Sequence, residues 1–506
     1  MSYIVAYDLG TGGLKAALYS QQGKYLDSLF TGYSTLSGRE TWAEQSPASW
    51  WSAFCATTRE LIEKHGLDPC DIAVVSFSGQ MMACLPVDSG GKPLRDCLIW
   101  ADRRSVPQTE SLRDRIAEER YYRLTGNKIY PTYPLPKFMW LKENEPEVYE
   151  KTYKFLQPKD YLVFQLSGTF ATDYSDASGT AALDMKVRDW SAEVLELAGI
   201  DRRKLPEIRS STDQAGTVSR DAAEQCGLAS GTPVVLGAGD GPCGNLGAGV
   251  YQEGKAYIYL GTSSWISLAS RQIVADPDMA LFNICSVDPG MIYVYGTMQM
   301  GGGSFQWLKE TICVAEKQLS ELTGTSPYAY MTQEAEQSPP GAKNLVFLPY
   351  LRGERSPRWN PNARGAFIGL TASHTRSDII RSVLEGITYN LKIIRDAITS
   401  QGARLEQMRA IGGGAESRLW RQIFADVFQE PIQVPMLLEG ANTLGSAIVG
   451  GVGVGVFESF SVIDELNPVS LVQKPSADSQ SRRAYEKLFP LFNACYEALT
   501  PLFDRM

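Results

Sequence analysis

Ile4-Val-Ala-Tyr-Asp-Leu-Gly-Thr-Gly-Gly-Leu-Lys-Ala-Ala-Leu18 is an apolar run, a Gly-Thr turn and a second apolar run. The device returns as Ala256-Tyr-Ile-Tyr-Leu-Gly-Thr-Ser-Ser-Trp-Ile-Ser-Leu268, with Leu9-Gly10-Thr11 falling on Leu260-Gly261-Thr262. Each reads as a β-hairpin whose tight turn presents backbone N–H groups and a Thr hydroxyl. Turns of this kind form concave anion sites. Two of them, one per half of the chain, predict a duplicated fold that closes on a polyphosphate such as that of ATP. The repeat is asymmetric. Asp8 stands where the second hairpin has Tyr259, as expected if only one half must hold a metal.

The 506 residues, 44% hydrophobic and 21% charged, describe an ordinary globular composition. The length prior predicts about two to four domains. A net charge of −9, with no basic run of five, argues against a nucleic-acid surface. The N-terminus shows no basic n-region or long apolar h-region, so no signal peptide is expected. The most membrane-like stretch, Leu444 to Phe457, is 14 residues long and rich in Gly. A bilayer span needs about 20 apolar residues. This stretch therefore predicts a buried helix, broken or followed by a Gly-rich loop, and no membrane partner. Nine scattered cysteines without a Cys-x-x-Cys pair fit reduced thiols in a cytoplasmic protein. With only His65 and His374 present, a His-rich metal site is excluded. Chemistry is left to carboxylates, backbone amides and hydroxyls.

Along the chain, the first hairpin leads to a strand at Tyr25–Tyr33 and a Pro-started helix from about Ser46 to Lys64. A buried strand, Ile72–Ser78, ends at Gly79-Gln80-Met81-Met82. Helices are predicted at 134–143 and 159–166, then a strand at 233–236 ending in Gly237-Ala-Gly-Asp-Gly-Pro-Cys-Gly244. The second half restarts with the repeated hairpin. It continues through a strand at 291–297, a Gly-rich helix start at 301–304, a strand at 345–350 and a long helix at 377–400. A strand at 408–411 ends in Gly412-Gly-Gly-Ala415, followed by a helix to Phe428, and the segment from Ser479 is helical, free to pack on either half. Strands ending in Gly-rich loops that feed helices put binding residues at the carboxyl edges of sheets. The boundary falls near 245–255, giving domains 1–250 and 251–506.

Each motif admits two readings. Asp8 with Gly10, Thr11 and Gly12 either holds Mg²⁺ on ATP beside a cradled phosphate or is a hairpin turn without a ligand. The second copy at Gly261-Thr262-Ser263 favours the first reading. Gly239, Gly241 and Gly244 match G-x-G-x-x-G after a strand, but the acidic residue a dinucleotide site wants about 20 positions on is absent. Asp240, flanked by small residues at a strand end, can reach a substrate hydroxyl as general base. The alternative, Asp240 as N-cap with Pro242 just inside the helix, is compatible with that role. Gln80, Asp102 and Arg103 beside Trp100 suit a small polyhydroxylated ligand. Core packing of Met81, Met82 and Trp100 with a surface Asp102–Arg103 pair explains the same spacing, and spacing alone favours it. Gly412-Gly-Gly-Ala-Glu-Ser-Arg-Leu-Trp420 admits a flat ring against the backbone or a mere strand-to-helix turn. No Walker motif occurs, so any ATP use is not of the P-loop type.

Together these segments resemble the FGGY family of carbohydrate kinases over nearly the whole chain. Gly365-Ala-Phe-Ile-Gly-Leu-Thr-Ala-Ser-His-Thr-Arg-Ser-Asp-Ile-Ile-Arg-Ser-Val-Leu-Glu385 is similar to the family's C-terminal signature. Lys137-Phe-Met-Trp-Leu-Lys-Glu-Asn144 is similar to the core of the N-terminal one, with Thr132 departing at its leading position. Tyr350-Leu-Arg-Gly-Glu-Arg-Ser-Pro357 and Gly302-Gly-Ser-Phe-Gln-Trp307 resemble two further family segments. The resemblance implies an α/β, two-domain, actin/hexokinase-like (ribonuclease H-like) duplicated fold with an interdomain cleft. It implies Asp240 as base, and Asp8 and Asp240 as metal carboxylates. Thr11, Gly12, Gly261, Thr262 and Ser263 would grip the phosphates of ATP. Gly302, Gln306, Gly413, Gly414 and Arg418 would surround the nucleoside, and Gln80, Met81, Trp100, Asp102 and Arg103, with Asp240, would line the sugar side.

Gln80-Met81 and Trp100 most resemble the xylulokinase branch, whose loop usually reads Gly-Gln-Met-His-Gly. Met82-Ala83 replaces His-Gly here, so a ring able to contact a sugar hydroxyl gives way to a thioether that donates nothing. The implied activity is ATP- and Mg²⁺-dependent phosphorylation of a small ketose or polyol, with a homodimer as one possible assembly. Rival acceptors are gluconate, ribulose, glycerol and erythritol; a spare cation at Arg103 or Arg104 would serve an acid. The rival from another class is an actin- or Hsp70-like ATPase that uses water and needs no acceptor pocket.

Overall fold

The computed structural model describes residues 2–39 and 41–506. In the first half, β1 (Tyr3–Leu9), β2 (Gly13–Ser20) and β3 (Tyr25–Gly32) form an antiparallel meander. Helix α1 (Pro47–His65) follows, then β4 (Ile72–Gly79), α2 (Pro134–Asn144) and α3 (Pro158–Ser167). Strands β5 (Gln214–Thr217) and β6 (Pro233–Val235) lead through a short Ala238–Gly239 strand into α4 (Asp240–Gly247). The sheet order is β5-β6-β4-β1-β2-β3, with β1 parallel to β4. Helix α1 covers one face because Trp50, Ala53, Phe54, Thr57 and Leu61 recur at helical spacing, all buried. Pro47 opens that helix and Gly66, at φ 57°, closes it.

The second half repeats the plan. Strands β7 (Lys255–Leu260), β8 (Ser264–Ser270), β9 (Phe282–Cys285) and β10 (Ile292–Met298) precede α5 (Gly302–Thr311) and the long α6 (Arg376–Ser400). Then come β11 (Gln407–Ile411), α7 (Arg418–Phe428), β12 (Ile432–Pro435), α8 (Ala441–Gly453) and β13 (Val469–Gln473), closed by α9 (Ser479–Phe503). The order β13-β12-β11-β7-β8-β10-β9 matches the first sheet strand for strand, β9 being the one addition. Both hairpins form as expected, with Leu9 opposite Leu14 and Leu260 opposite Ser264. The duplicated two-sheet α/β fold is therefore present, and most element bounds fall within two residues of the sequence reading. Helix α9 packs on the second half: Tyr485, Leu488, Phe492 and Tyr496 join its core.

Helix α8 belongs to the second half by sequence but packs against the first sheet. Gly450 lies so close to β4 that a Cβ there would stand 2.7 Å from the Ser76 Cβ. Leu444, Ala447, Ile448 and Val449 share one buried cluster with Ile4, Ala6, Ala17, Val74 and Leu246. This explains the Gly-rich apolar stretch: a helix pressed on several sides buries everything and has room for little. It crosses α4 backbone to backbone. A Cβ at Gly247 would meet the Ala441 carbonyl oxygen at 1.9 Å, and one at Gly445 the Cys243 carbonyl oxygen at 2.0 Å. No helix among the described residues is long and apolar enough to cross a membrane.

Gly445→Ala should destabilise the fold by about 1–3 kcal/mol, the range for overpacking. Gly38→Ala, where a Cβ meets nothing within 4 Å, should change it little. Urea unfolding of both variants checks this.

Candidate functional site

The carboxyl ends of β1 and β4, the start of α4 and the start of α8 converge on Asp8. Its Oδ1 accepts from the Ser78 hydroxyl at 2.7 Å and its Oδ2 from the Asn442 side-chain amide at 3.2 Å. Directly across the hairpin stands Lys15. Burial raises the Asp8 carboxyl above the ordinary value, while Ser78, Asn442 and Lys15 pull it back. Asp240 is the first residue of α4, with Gly239 rather than Asp240 as the N-cap, and its Oδ1 accepts from the Gly241 N–H at 2.8 Å. Desolvation, and then the negative charge of Asp8, push the Asp240 carboxyl from 3.8 up to about 7. Two carboxylates thus repel one another across one crevice, each only partly exposed, and the second is poised near neutrality.

A buried scaffold fixes the approach to Asp240. The Gly239 N–H donates to the Ser175 hydroxyl at 2.9 Å, and that hydroxyl donates to Asp173 at 2.6 Å. Asp173 lies 3.0 Å from the Lys159 ammonium, which also faces Asp160 and Asp176, all fully buried. Burial shifts Asp160 and Asp176 upward, and the neighbouring carboxylates add to it, while the Lys159 ammonium pulls both back. A Cβ at Gly79 would stand 2.9 Å from the Lys159 Cβ, so the same lysine supports the loop that carries Gln80. The glycines that mimic a dinucleotide fingerprint serve packing. Gly239 abuts the Met81 thioether, Gly241 the Tyr295 hydroxyl and Gly244 the Asn442 side chain.

A cavity of about 270 Å³ beside Asp8 is lined by Lys15, Gly244, Tyr259, Gly412, Gly413, Glu439 and Asn442. Tyr259, the counterpart of Asp8 in the repeat, stacks on Trp265 with ring centroids 4.0 Å apart. Gly413 and Glu439 also line a second cavity of about 640 Å³. That chamber holds Gly261, Thr262, Gly302, Gln306, Gly414 and Arg418, with Tyr328, Thr332 and Gln333 from a helix the sequence reading did not single out. The Gly302 and Gly303 N–H groups donate to the carbonyls of Gly261 and Thr262 at 2.8 and 2.9 Å, lacing the second turn to α5. Ser263 lies in the turn and lines neither cavity.

On the other side of the first turn, the Trp100 indole N–H donates to the Thr11 hydroxyl at 2.8 Å, and that hydroxyl faces Gln80 at 3.4 Å. The side chain of Thr11 is thus turned toward Gln80 and Trp100, and Gly12 is exposed, while the Thr11 carbonyl accepts from Gln45 and the Gly12 carbonyl from the Tyr33 N–H. Trp100 is 40% exposed, Met81 is buried and Met82 is half-buried against two core clusters, so the two methionines pack and the indole does not. The expected surface pair of Asp102 with Arg103 does not form. Asp102 is fully buried, accepting from the Ala43 N–H at 2.7 Å and from Arg104 at 2.7–3.1 Å. Arg104 also meets Glu44 at 2.5 Å and lies 3.6 Å over the Trp42 ring. Arg103 is exposed and has no ion pair among the described residues. Lys137, fully buried, donates to the carbonyls of Met82 at 2.9 Å and Ile99 at 2.7 Å, and desolvation lowers it to about 8.

Sequence profiles of the FGGY carbohydrate kinases match this chain, the N-terminal domain at residues 3–247 and the C-terminal domain at 256–454. The gluconokinase of Bacillus subtilis is 32% identical over 97% of this chain and 95% of its own. The xylulose kinase of Escherichia coli is 31% identical over 98% and 99%. Among solved structures, a ligand-bound xylulose kinase from Lactobacillus acidophilus superposes with TM-score 0.91 at 29% identity, covering 100% of both chains.

The upward shift of Asp240 has a pH signature. Between 3.8 and about 7 the folded protein keeps a proton that the unfolded chain has released, so this carboxyl destabilises the fold progressively across that window. Asp240→Asn should therefore melt above wild type at pH 8, with the gap shrinking toward pH 4; thermal melts across pH check it.

Proposed function

The chain belongs to the FGGY family of carbohydrate kinases, and on that footing we propose in-line transfer of the ATP γ-phosphoryl group to a hydroxyl of a small open-chain ketose or polyol, xylulokinase-like in acceptor class. The supporting observation is that the two cavities are neighbours, sharing Gly413 and Glu439 in their walls. A nucleoside-sized chamber thus lies next to the cavity that holds Asp8. The larger chamber takes the nucleoside between Gly302, Gln306, Gly414 and Arg418. The turns at Thr11–Gly12 and Gly261–Ser263 meet the phosphates through backbone N–H groups, and Lys15 adds a cation. The lobes divide near residue 250, with α8 reaching across.

Asp240 acts as general base on the attacking hydroxyl, a role that suits a carboxyl held near 7. Asp8 and Asp240 fit Mg²⁺, a hard cation content with one or two carboxylates plus phosphate oxygens and water. Among the described residues no group of three or more His, Cys, Asp or Glu stands ready to hold a metal. That suits an ion arriving with the nucleotide. When bound, the ion neutralises charge on the phosphates. Gln80, Met81 and Trp100 form the acceptor side, while Asp102 shapes it through Arg104. The xylulokinase-like and gluconate readings diverge at Arg103: its exposed guanidinium, with no ion pair among the described residues, favours an acid acceptor, and the neutral Gln80–Trp100 surface a ketose or polyol.

Asp240→Asn should lower turnover by about 10²–10⁴, the usual contribution of a general base, and leave ATP affinity within a few-fold. For wild type, kcat/KM should fall as pH drops through about 7. Coupled ADP release with D-xylulose, D-ribulose, glycerol, erythritol and D-gluconate identifies the acceptor. A preference for gluconate that Arg103→Ala abolishes would select the acid reading.

A further inference from the structure

The segment Glu44-Gln-Ser-Pro-Ala-Ser-Trp50 bears no obvious chemistry, yet Gln45 is fully buried at the junction of the two sides of the site. Its Nε2 donates to the Thr11 carbonyl at 2.7 Å and to the Thr35 hydroxyl at 2.8 Å. Its Oε1 accepts from the Trp50 indole at 3.1 Å and from the Gln80 amide at 2.8 Å. An amide offers two donors and two lone pairs, and all four are used. The orientation is dictated by partners of fixed sense: a carbonyl only accepts and an indole N–H only donates. Flipping the amide would set donor against donor at Trp50 and acceptor against acceptor at Thr11.

That polarity propagates. Because the Gln80 Nε2 must donate to Gln45, the Gln80 Oε1 faces the Thr11 hydroxyl, which lies 3.4 Å away. The hydroxyl then points its proton at Gln80 and its lone pair at the Trp100 indole, 2.8 Å away. Gln45, Thr11 and Gln80 close a ring in which the phosphate turn supplies both a carbonyl and a hydroxyl. The bonds at buried Gln45 and Gln80 fix the inner half of this ring, whereas Thr11 is half-buried and Trp100 is 40% exposed, so these outer members are the ones a ligand can order. A ligand that orders Gln80 and Trp100 therefore also orders the turn at Thr11–Gly12, and the reverse.

We propose that Gln45 is a positioning residue that couples acceptor binding to nucleotide binding, so that each ligand raises the affinity for the other. The proposal rests on the assignment of Gln80 and Trp100 to the acceptor and of the Thr11–Gly12 turn to phosphate. Coupling is reciprocal and commonly amounts to about 5–150-fold. Gln157 offers the contrast. It holds Ala83 of the acceptor loop through two hydrogen bonds of 2.9 Å and, among the described residues, makes none to the phosphate turn.

The test is calorimetric titration of a non-hydrolysable ATP analogue with and without the best acceptor of the panel. Wild type should bind the analogue at least about fivefold tighter with acceptor present. Gln45→Leu should bring that ratio within twofold of one, Trp50→Phe should leave an intermediate value, and Gln157→Leu should weaken the acceptor yet keep the ratio. Should Gln45→Leu fail to fold by thermal melt, the Trp50→Phe ratio decides alone, an unchanged value counting against the coupling. A wild-type ratio near one, or one untouched in Gln45→Leu, overturns the proposal. Failure of the acceptor assignment shows separately, as a Gln80→Leu enzyme with unaltered acceptor KM.

Discussion

Everything at the site depends on two helices meeting without side chains between them. Asp240 begins α4 and Asn442 sits in the first turn of α8, so the distance between these helices sets the distance between the base and the groups around Asp8. Gly247 and Gly445 bring the backbones within carbonyl contact. Asn442 then reaches Asp8 while touching Gly244 on the opposing helix. A larger residue at the crossing would open the crevice, let in water and so relax first the desolvation, then the repulsion from Asp8, that together raise Asp240. Packing geometry and proton affinity are here one problem.

The same economy of space explains the asymmetry of the duplication. The two sheets share topology and both hairpins carry a Gly-Thr turn, but one presents Asp8 opposite Lys15 and the other Tyr259 beside Trp265. The first pair supplies charge of both signs; the second supplies an apolar wall. A charged pair on both sides would have placed more ionised groups in a crevice where desolvation is already costly. The aromatic wall also lowers the dielectric around Asp8, which strengthens every electrostatic effect inside.

Much of this was legible in the sequence because it rests on local rules. The hairpins follow from alternation around Gly-Thr turns, α1 from Pro47, helical spacing and Gly66, and the carboxylate at 240 from its place between a strand and a Pro-containing helix start. The nucleoside-side residues were found through family resemblance, and most of them share one cavity. What escaped is non-local. Asp102 is drawn inward because the Ala43 N–H donates to it and the Arg104 it pairs with is held in turn by Glu44, residues far away in sequence. No spacing rule reveals that. Tyr328 and Thr332 enter the nucleoside chamber from a helix with no motif. Lys15 was within reach, since pairing Leu9 with Leu14 sets it opposite Asp8, and Gln45 was not, because a glutamine with four buried partners looks like any surface glutamine.

Lys137 holds the acceptor loops by main-chain oxygens, not by side chains. The path of the chain at Met82 and Ile99 is thereby independent of what those residues carry. Such a lattice lets evolution swap the chemical readout of the loop, a thioether for an imidazole, while its shape stays put. Divergence toward a new sugar then requires a change of letters at one or two positions and no remodelling of the architecture beneath them.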